Sequence, residues 1–579
     1  MKNRNLLKSN NSYTWVVCSS HYQNENVDCL AQELKLPKFI VSILYERGYE
    51  TYQQIYDFLN PSLANLYPPK LLVDMEKAVS RIIRCLEKKE PILIYGDYDV
   101  DGVSGSALLL RILRVLGAQV SFYIPHRQKE GYGLSDTGVL YAKAYGFSLI
   151  ITVDCGTTDF TEIDMASKMG IDVIVCDHHE PKEVLPNAYA IINPKRHDSV
   201  YPFRELAGVG VAFKLAWALL ASLNQPKEYL VEHLDLVALG TIADVVPLID
   251  ENRILAKFGL KQIAKTKKVG LQALLKVAGL SPRQITPYDV GFIIAPRINA
   301  SGRISCAEKA VRLFITDDNK EAELIAQELN QENAQRQNME MEILNSAIEI
   351  IEKKNMAENK VMILANDSWH EGVVGIGASR LVDRYFRPTI LLSIKEDRAK
   401  GSGRSIPGFN LYQALKYCQD SLLSFGGHKY ACGVIIEKDK IEEFSEKMQV
   451  YAQENLPQEL LQRKIYIDAP IALHEITPEL LKIIQKFEPF GQENPCPVFM
   501  TSGLEVVGYP RVVGQEHLRF NVRENKDKVL EAIAFGRSDE ILRLQKGKEN
   551  HLDIVYTFDE HSFAGKTKIQ LVIKDMRIH

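Results

Sequence analysis

Three aspartates at alternate positions, Asp97, Asp99 and Asp101, follow directly on the apolar run Ile92-Leu93-Ile94-Tyr95. In extended backbone, residues i, i+2 and i+4 point to one side, so the three carboxylates converge. Such convergence is repulsive unless a cation neutralises it. Taken alone the stretch reads first as an acidic turn at a strand end. It has company further on, in Thr152-Val153-Asp154-Cys155-Gly156, in Asp177-His178-His179 and in Asp244, an acid set inside the otherwise apolar run 239–248. An unpaired carboxylate in such a run costs on the order of several kcal/mol, and a helix cap or a salt bridge would serve Asp244 as well as a cation would. Together Asp97, Asp99, Asp101, Asp154, His178 and Asp244 form an oxygen-rich set with one imidazole and no thiolate. A hard set of this kind suits Mn²⁺ or Mg²⁺ rather than structural zinc, and the histidine leans it toward Mn²⁺. So many carboxylates accommodate two ions, and a pair about 3.5 to 4 Å apart activates water and neutralises the oxygens of a displacement at phosphorus. Phosphoester hydrolysis is the reaction this set supports.

The elements that must bring these acids together are short β-branched runs at 92–95, 120–124, 149–153, 173–176 and 190–192, alternating with helical segments such as 75–88 and 208–223. That alternation predicts a doubly wound parallel sheet, in which ligands bind beyond the carboxyl ends of the strands. Four of the five strands end in a pointed segment: the acid triplet, then Pro125-His126-Arg127 with the glycine-rich 130–135, then Asp154, then Asp177-His178-His179. The rest of the chain divides by composition. Residues 1–70 read as a small helical element and 71–255 as the sheet domain. Residues 256–355 read as a helical connector, with a lysine-rich start and a polar helix over 318–354 whose charge run is an ordinary solvated face. The connector carries Arg297-Ile298-Asn299-Ala300-Ser301-Gly302-Arg303, and arginine forks fit phosphate oxygens in pairs. A second α/β unit over 356–459 holds the 369–380 run with His370, then Gly401-Ser402-Gly403-Arg404, then Gly426-Gly427-His428. Glycines beside Ser, Arg and His suit exposed amides round an anion, although any one of them also fits an ordinary turn. Short runs over 460–579 predict a small β-barrel. In it Phe520, Phe535, Tyr556 and Phe558 are candidates to stack bases, and Arg519 or Arg537 to meet phosphates; alternating aromatics equally describe a core.

At 579 residues the chain exceeds what one core holds and calls for several domains. Its 70 basic and 74 acidic residues give a net charge of -4, so any nucleic-acid binding comes from local patches rather than an overall basic field. The nine cysteines form no CxxC pair or regular framework, which fits reduced thiols of a cytosolic protein. Lys2, Arg4 and Lys8 are followed only by Trp15-Val16-Val17, too little for a signal-peptide core. No apolar segment approaches the roughly 18 residues that span a bilayer. These features point to the cytoplasm and away from a membrane.

Asp97 to Gly102 together with Asp177-His178-His179 resembles the DHH phosphoesterase superfamily, named for that Asp-His-His run. The match tightens through the segments round Asp154, Asp244, Arg297 and His370 and the Gly426-to-Gly433 run, in that order, from about residue 70 to the C-terminus. The set is similar to that of the bacterial single-stranded-DNA exonucleases of the superfamily. The resemblance implies an α/β multidomain chain: a DHH parallel-sheet domain, a helical connector, a DHH-associated α/β domain and a C-terminal OB-fold barrel. It implies 5′ to 3′ removal of nucleotides from single-stranded DNA with Mn²⁺ or Mg²⁺, in DNA repair and recombination. It makes Asp99, Asp101, Asp154, His178 and Asp244 metal ligands, leaves Asp97 as a further candidate, and sets His179 against the scissile phosphate with Asp154 and Asp177 as catalytic partners. Arg127, Arg297, Asn299, Arg303, His370, Ser402, Arg404 and His428 become the candidates for holding the DNA backbone or its 5′ end. A monomer is expected, with a single-strand-binding protein and a helicase as candidate protein partners. Two other readings remain open at this point: a phosphodiesterase for short oligonucleotides or cyclic dinucleotides, and a non-catalytic DNA-binding scaffold.

Overall fold

A computed structural model describes residues 13–18, 24–127, 129–280, 284–525, 528–546, 551–563 and 566–579, so Lys2, Arg4 and Lys8 lie outside the described residues. The chain forms two compact units, one of Asn60–Arg336 with Phe487–Pro495, the other of Met1–Leu59, Gln337–Lys486 and Cys496–His579. The first strand, β1 (Thr14–Val17), belongs to the second of these and is taken up with its partner below.

The first unit is built on β2 (Ile92–Gly96), β3 (Val120–Tyr123), β4 (Leu149–Val153), β5 (Asp172–Cys176) and β6 (Ala190–Ile192). They lie in the order β3-β2-β4-β5-β6 with every pairing parallel. β2 and β4 are buried along their whole length, as strands of a sheet covered on both faces must be. Alternate residues then serve two cores. Ile92, Ile94, Leu149, Ile151 and Val153 face a large cluster shared with helices Met75–Lys88, Val100–Val115 and Gly208–Ser222. Leu93, Tyr95, Ile150, Val173 and Val175 face helices Asp136–Ala144 and Phe160–Lys168 on the other side. The predicted strands and helices stand, and the polar helix expected over 318–354 is Asn319–Lys353.

The second unit contains β7 (Met362–Asn366), β8 (Thr389–Lys395), β9 (Arg398–Arg404), β10 (Ser424–Gly427) and β11 (Ala431–Glu437), ordered β10-β11-β9-β8-β7. Only β7 and β8 pair in parallel. Gly401-Ser402-Gly403 and Gly426-Gly427, which the sequence offers as exposed amides round an anion or as ordinary turns, sit inside strands. A Cβ on Gly401 would lie 2.4 Å from the Leu392 side chain, and one on Gly403 2.6 Å from the Cys432 sulfur. These glycines admit neighbouring side chains rather than reverse the chain.

β12 (Lys464–Ile467) pairs in parallel with β1, Thr14 opposite Lys464 through Val17 opposite Ile467. A strand was not expected in the first 70 residues, since four residues whose partner lies hundreds of positions away leave no local signature. The helices beside it, Glu25–Leu34, Lys38–Glu46 and Tyr52–Leu59, follow the expected apolar spacing. Short β13 (Ala469–Pro470) then leads to β14 (Phe499–Val513), β15 (His517–Arg523), β16 (Val529–Ala534), β17 (Leu552–Phe563) and β18 (Lys566–Ile578). The run β14-β15-β16-β18-β17 closes into a five-stranded barrel through pairing of β17 with β14. Three of the four aromatics offered for base stacking, Phe520, Tyr556 and Phe558, are buried in the barrel, while Phe535 is exposed. Arg519 is ion-paired with Glu531, and Arg537 with Glu540 and Asp575.

Candidate metal centre

The parallel strands deliver their acids to one place. Asp97 leaves β2 and donates its N–H to the Val153 carbonyl at 3.2 Å. Asp99 caps helix Val100–Val115, its Oδ1 accepting from the Asp101 and Gly102 amides at 2.9 and 3.2 Å. An aspartate in this capping position satisfies helix-end donors and gains from the positive end of the helix dipole. Asp101 sits in the first turn, where its two oxygens accept from Gly208 N–H (2.6 Å) and Val209 N–H (2.8 Å) at the start of the next core helix. Asp154 follows β4 with φ 64°, a left-handed conformation that Asp tolerates better than most residues. Asp244, set in the apolar run 239–248, terminates helix Leu234–Ala243 and is partly exposed.

Three of these acids, Asp101, Asp154 and Asp244, converge on His178. Its Nε2 lies 3.1 Å from Asp154 Oδ1, 3.5 Å from Asp244 Oδ2 and 4.0 Å from Asp101 Oδ2. Three overlapping sets, Asp154 with His178 and His179, Asp101 with His178 and Asp244, and Asp97 with Asp99 and Asp154, each bring their ligand atoms within 4.8 Å of one another. All the sequence-picked metal candidates therefore meet, Asp97 among them.

The electrostatics match a cation site. Burial, then repulsion from Asp99, pushes Asp101 up to about 7. Burial, then Asp101 and Asp99, pushes Asp244 up to about 9. Asp97 and Asp154 rise for the same two reasons, with burial the larger. Burial also lowers His178 to about 3, so it is a neutral ligand-ready imidazole. Asp97 Oδ1, Asp154 Oδ1 and His178 Nε2 are buried without a hydrogen-bond partner, and buried polar atoms in that state need an account. Divalent cations held by carboxylate oxygens and one imidazole supply it, and the donor set fits Mn²⁺ or Mg²⁺.

Around the acids lies a second ring of contacts. Asp177 accepts from the backbone N–H groups of His178 (2.7 Å), Thr157 (3.0 Å) and His179 (3.2 Å). Burial opposes its ionisation, but these donors and the His179 ring hold it well below the usual carboxylate range. His179 Nδ1 in turn lies 2.8 Å from Asp177 Oδ1. Burial works against the His179 cation, yet Asp177 more than offsets it and raises the ring to about 9. His179 is thus oriented by Asp177 and half exposed, with Nδ1 3.8 Å from Asp154.

Three residues of this ring escaped the sequence reading. Tyr132 donates its hydroxyl to the Asp154 carbonyl at 2.7 Å, and the same oxygen lies 2.9 Å from His179 Nδ1. Gly131 and Gly133 on either side have φ of 88° and 92°, which lets the loop throw the ring over the site; the Gly-Tyr-Gly pattern was the available signal. Asn193 donates to Thr157 Oγ1 at 3.0 Å and to the His179 carbonyl at 2.9 Å. Gly208 gives the acids their room, since a Cβ there would stand 2.7 Å from Asp154 Cβ and 3.0 Å from Asp101 Oδ2.

The phosphate-binding candidates divide. Asn299 Oδ1 accepts the Val100 N–H at 3.2 Å, beside Asp99, and Arg127 lies over the Tyr98 ring at 5.0 Å. Arg303 sits in the same helix as Asn299, Ala295–Ile304, and is partly buried. Arg297 spends its donors on the Ile293 carbonyl and Asn330, at 2.5 and 3.1 Å. In the second unit, Arg404 Nη1 bonds Ser402 Oγ at 2.9 Å, and the tight approach of Gly375 to both groups seats them under the start of helix Val374–Tyr385. His370 accepts the Gly372 N–H on Nδ1 at 3.1 Å, and His428 is exposed on the turn between β10 and β11.

With the fold and site in place, comparison with known proteins is specific. Residues 91–241 match the DHH family, N-terminal domain; residues 334–454 the DHHA1 domain; and residues 467–575 the RecJ OB domain. The chain is 39% identical over 559 residues to the single-stranded-DNA-specific exonuclease RecJ of Bacillus subtilis, covering 96% of this chain and 70% of that one. It is 35% identical to the Escherichia coli protein of the same name, over 94% of this chain and 96% of that one. Its structure matches the crystal structure of RecJ in complex with Mn²⁺ from Thermus thermophilus with a TM-score of 0.81 and 30% identity, over 97% of this chain and 79% of the other.

Proposed function

We propose that this chain, which belongs to the RecJ family, is a single-stranded-DNA-specific exonuclease that depends on Mn²⁺ or Mg²⁺ and hydrolyses phosphodiester bonds from the 5′ end. The observation that carries the reading is the nest of orphaned ligand atoms, Asp97 Oδ1, Asp154 Oδ1 and His178 Nε2, buried at the ends of β2, β4 and β5. Asp99, Asp101, Asp154, His178 and Asp244 are the assigned ligands of two ions, with Asp97 completing the set that Asp99 and Asp154 begin. When bound, such ions supply Lewis-acid neutralisation of the phosphate oxygens and acidify water.

The chain's own residues do the rest. Asp177 fixes the ring of His179 through Nδ1, so the other face of the imidazole is presented to the leaving oxygen as a proton donor. Tyr132 and Asn193 hold Asp154 and His179 by their backbone carbonyls. Arg127, Asn299 and Arg303, and His370, Ser402, Arg404 and His428, are assigned to holding the DNA backbone or its 5′ end. Arg297, already bonded to the Ile293 carbonyl and to Asn330 of helix Asn319–Lys353, is assigned to positioning its helix against that one. The barrel supports action on long strands, which favours this reading over a phosphodiesterase for dinucleotides. Family membership carries the remaining expectations: a cytoplasmic monomer working in repair and recombination beside a helicase and a single-strand-binding protein.

The test is digestion of single strands labelled at either end, with Mn²⁺ and with EDTA. Mononucleotides released first from the 5′ label, only with the ion and not from duplex DNA, are expected. Release from the 3′ label, or cleavage in EDTA, would overturn the assignment.

A further inference from the structure

The loop that follows the metal ligand Asp244 is held from an unexpected side. Val245 has φ 60°, a left-handed conformation in which a β-branched residue is a genuine outlier. Its side chain is 65% exposed, so no packing of its own keeps it there. Strained backbone of this kind persists only where the surroundings over-determine it, and it gathers at functional sites. On one side helix Leu234–Ala243 fixes the loop, with the Asp244 N–H on the Gly240 carbonyl at 2.9 Å. On the other side Val246 and Leu248 are buried in the large core. Asn252, in the first turn of helix Asp250–Ile263, donates to the Pro247 carbonyl at 3.1 Å.

The remaining hold comes from Phe487–Pro495. This segment belongs to the unit of the metal centre, although the chain on both sides of it, up to Lys486 and from Cys496, belongs to the other. The Gln492 carbonyl accepts the Leu248 N–H at 2.8 Å. Gly491 lies so flat on Leu248 that a Cβ would stand 2.5 Å from Cδ1 and 3.0 Å from Cγ. Arg253, 3% exposed, donates to the Phe487 and Glu488 carbonyls at 3.4 and 3.2 Å. The segment keeps its shape through Asn494, which is fully buried. The Asn494 side-chain amide donates to the Phe487 and Pro489 carbonyls, both at 2.9 Å, and its backbone exchanges hydrogen bonds with Gly491. A pre-shaped strap is thus laid across the loop, one face of it moulded to Leu248.

We propose that Phe487–Pro495 is a positioning strap for the metal centre. Through Leu248 it keeps Val245 left-handed and so aims the Asp244 carboxylate at His178, where Oδ2 stands 3.5 Å from Nε2. The inference rests on the reading of Asp244 as a metal ligand and deepens it, since a ligand set at the strand ends of one unit is then completed by chain that arrives from the other. Gly491 and Asn494 act through Leu248 and are positioning residues. Two measurements test this. In the full chain, Gly491→Ala drives a methyl into Leu248 and should weaken Mn²⁺ affinity by calorimetry about tenfold, as disturbed outer contacts of a ligand do, with KM for single-stranded DNA at saturating Mn²⁺ unchanged. Wild-type affinity in this variant overturns the strap. Coupling between sites is reciprocal, so in the unaltered protein Mn²⁺ should slow hydrogen exchange of the Leu248 and Gly491 amides, relative to EDTA, more than that of helix Val269–Val277, which lies in the same unit and supplies no ligand. Equal slowing in both places, or none, likewise overturns the strap, and this arm needs no variant to fold. If Mn²⁺ selectively slows that exchange in a protein that leaves DNA uncut, the exonuclease reading fails and the strap stands.

Discussion

Two clusters of buried charge lie in the same unit and are built on opposite plans. At one, the Lys214 ammonium bonds Glu251 Oε1 at 2.5 Å and the Tyr67 carbonyl at 2.7 Å, while Glu251 accepts from the Tyr67 N–H and the Tyr201 hydroxyl. Lys214 and Glu251 are fully buried, and their charged atoms all have partners. At the other, Asp97, Asp101, Asp154 and Asp244 crowd round a neutral His178, with burial and mutual repulsion raising every one of them. The chain closes the first cluster by itself and leaves the second short of positive charge. A buried acid is thus no sign of function until its partners are counted. What marks the metal centre is the count of atoms left over.

The contrast can be broken from either end, and the effects should come in descending size. Asp154→Asn keeps the left-handed backbone accessible but removes a ligand charge. Mn²⁺-dependent cleavage should fall about a thousandfold, about 4 kcal/mol in the barrier, while the melting midpoint in EDTA rises because a repelling carboxylate is gone. A midpoint that falls would mean the acids are not in conflict. Lys214→Met, of similar volume, strands Glu251 and should cost about 3 to 5 kcal/mol of stability by urea denaturation, with cleavage per folded molecule unchanged. Gly208→Ala adds a methyl 2.7 Å from Asp154 Cβ. Mn²⁺ affinity by calorimetry should weaken about tenfold, as when a ligand's supporting contacts are disturbed; unchanged affinity would show that the site yields. Tyr132→Phe deletes the hydroxyl that bonds the Asp154 carbonyl and lies against the His179 ring, a net loss of about 1 kcal/mol. The expected result is a kcat about fivefold lower with KM unmoved.

Much of this was legible in the sequence because period and position coincide. Five strands declared themselves by short β-branched runs, and the acids followed them directly, so parallel-sheet geometry brought Asp99, Asp154 and His178 together without further information. What stayed hidden depends on approach rather than pattern. Gly208 looks like any residue opening an apolar helix until Asp101 and Asp154 are placed against it. Gly401 and Gly403 read as anion-facing amides or turns, because glycine in a sequence does not separate an exposed amide or a bend from a close contact between strands. Phe520, Tyr556 and Phe558 alternate as a platform would, yet closure of the barrel turns them inward.

The pairing of β1 with β12 has a consequence for how the molecule is made. Val17 leaves the ribosome hundreds of residues ahead of Ile467, its partner across the ladder. At about 5 to 20 residues per second the interval is tens of seconds. During it the unit of Asn60–Arg336 can complete nearly all of its fold, since only Phe487–Pro495 arrives later. The first segment must wait, with β1 unpaired and Phe39 without the Phe499 ring it meets at 6.2 Å, until the last third of the chain is synthesised. The nascent protein is therefore most exposed to chaperones and proteases at its amino end, the reverse of ordinary vectorial folding.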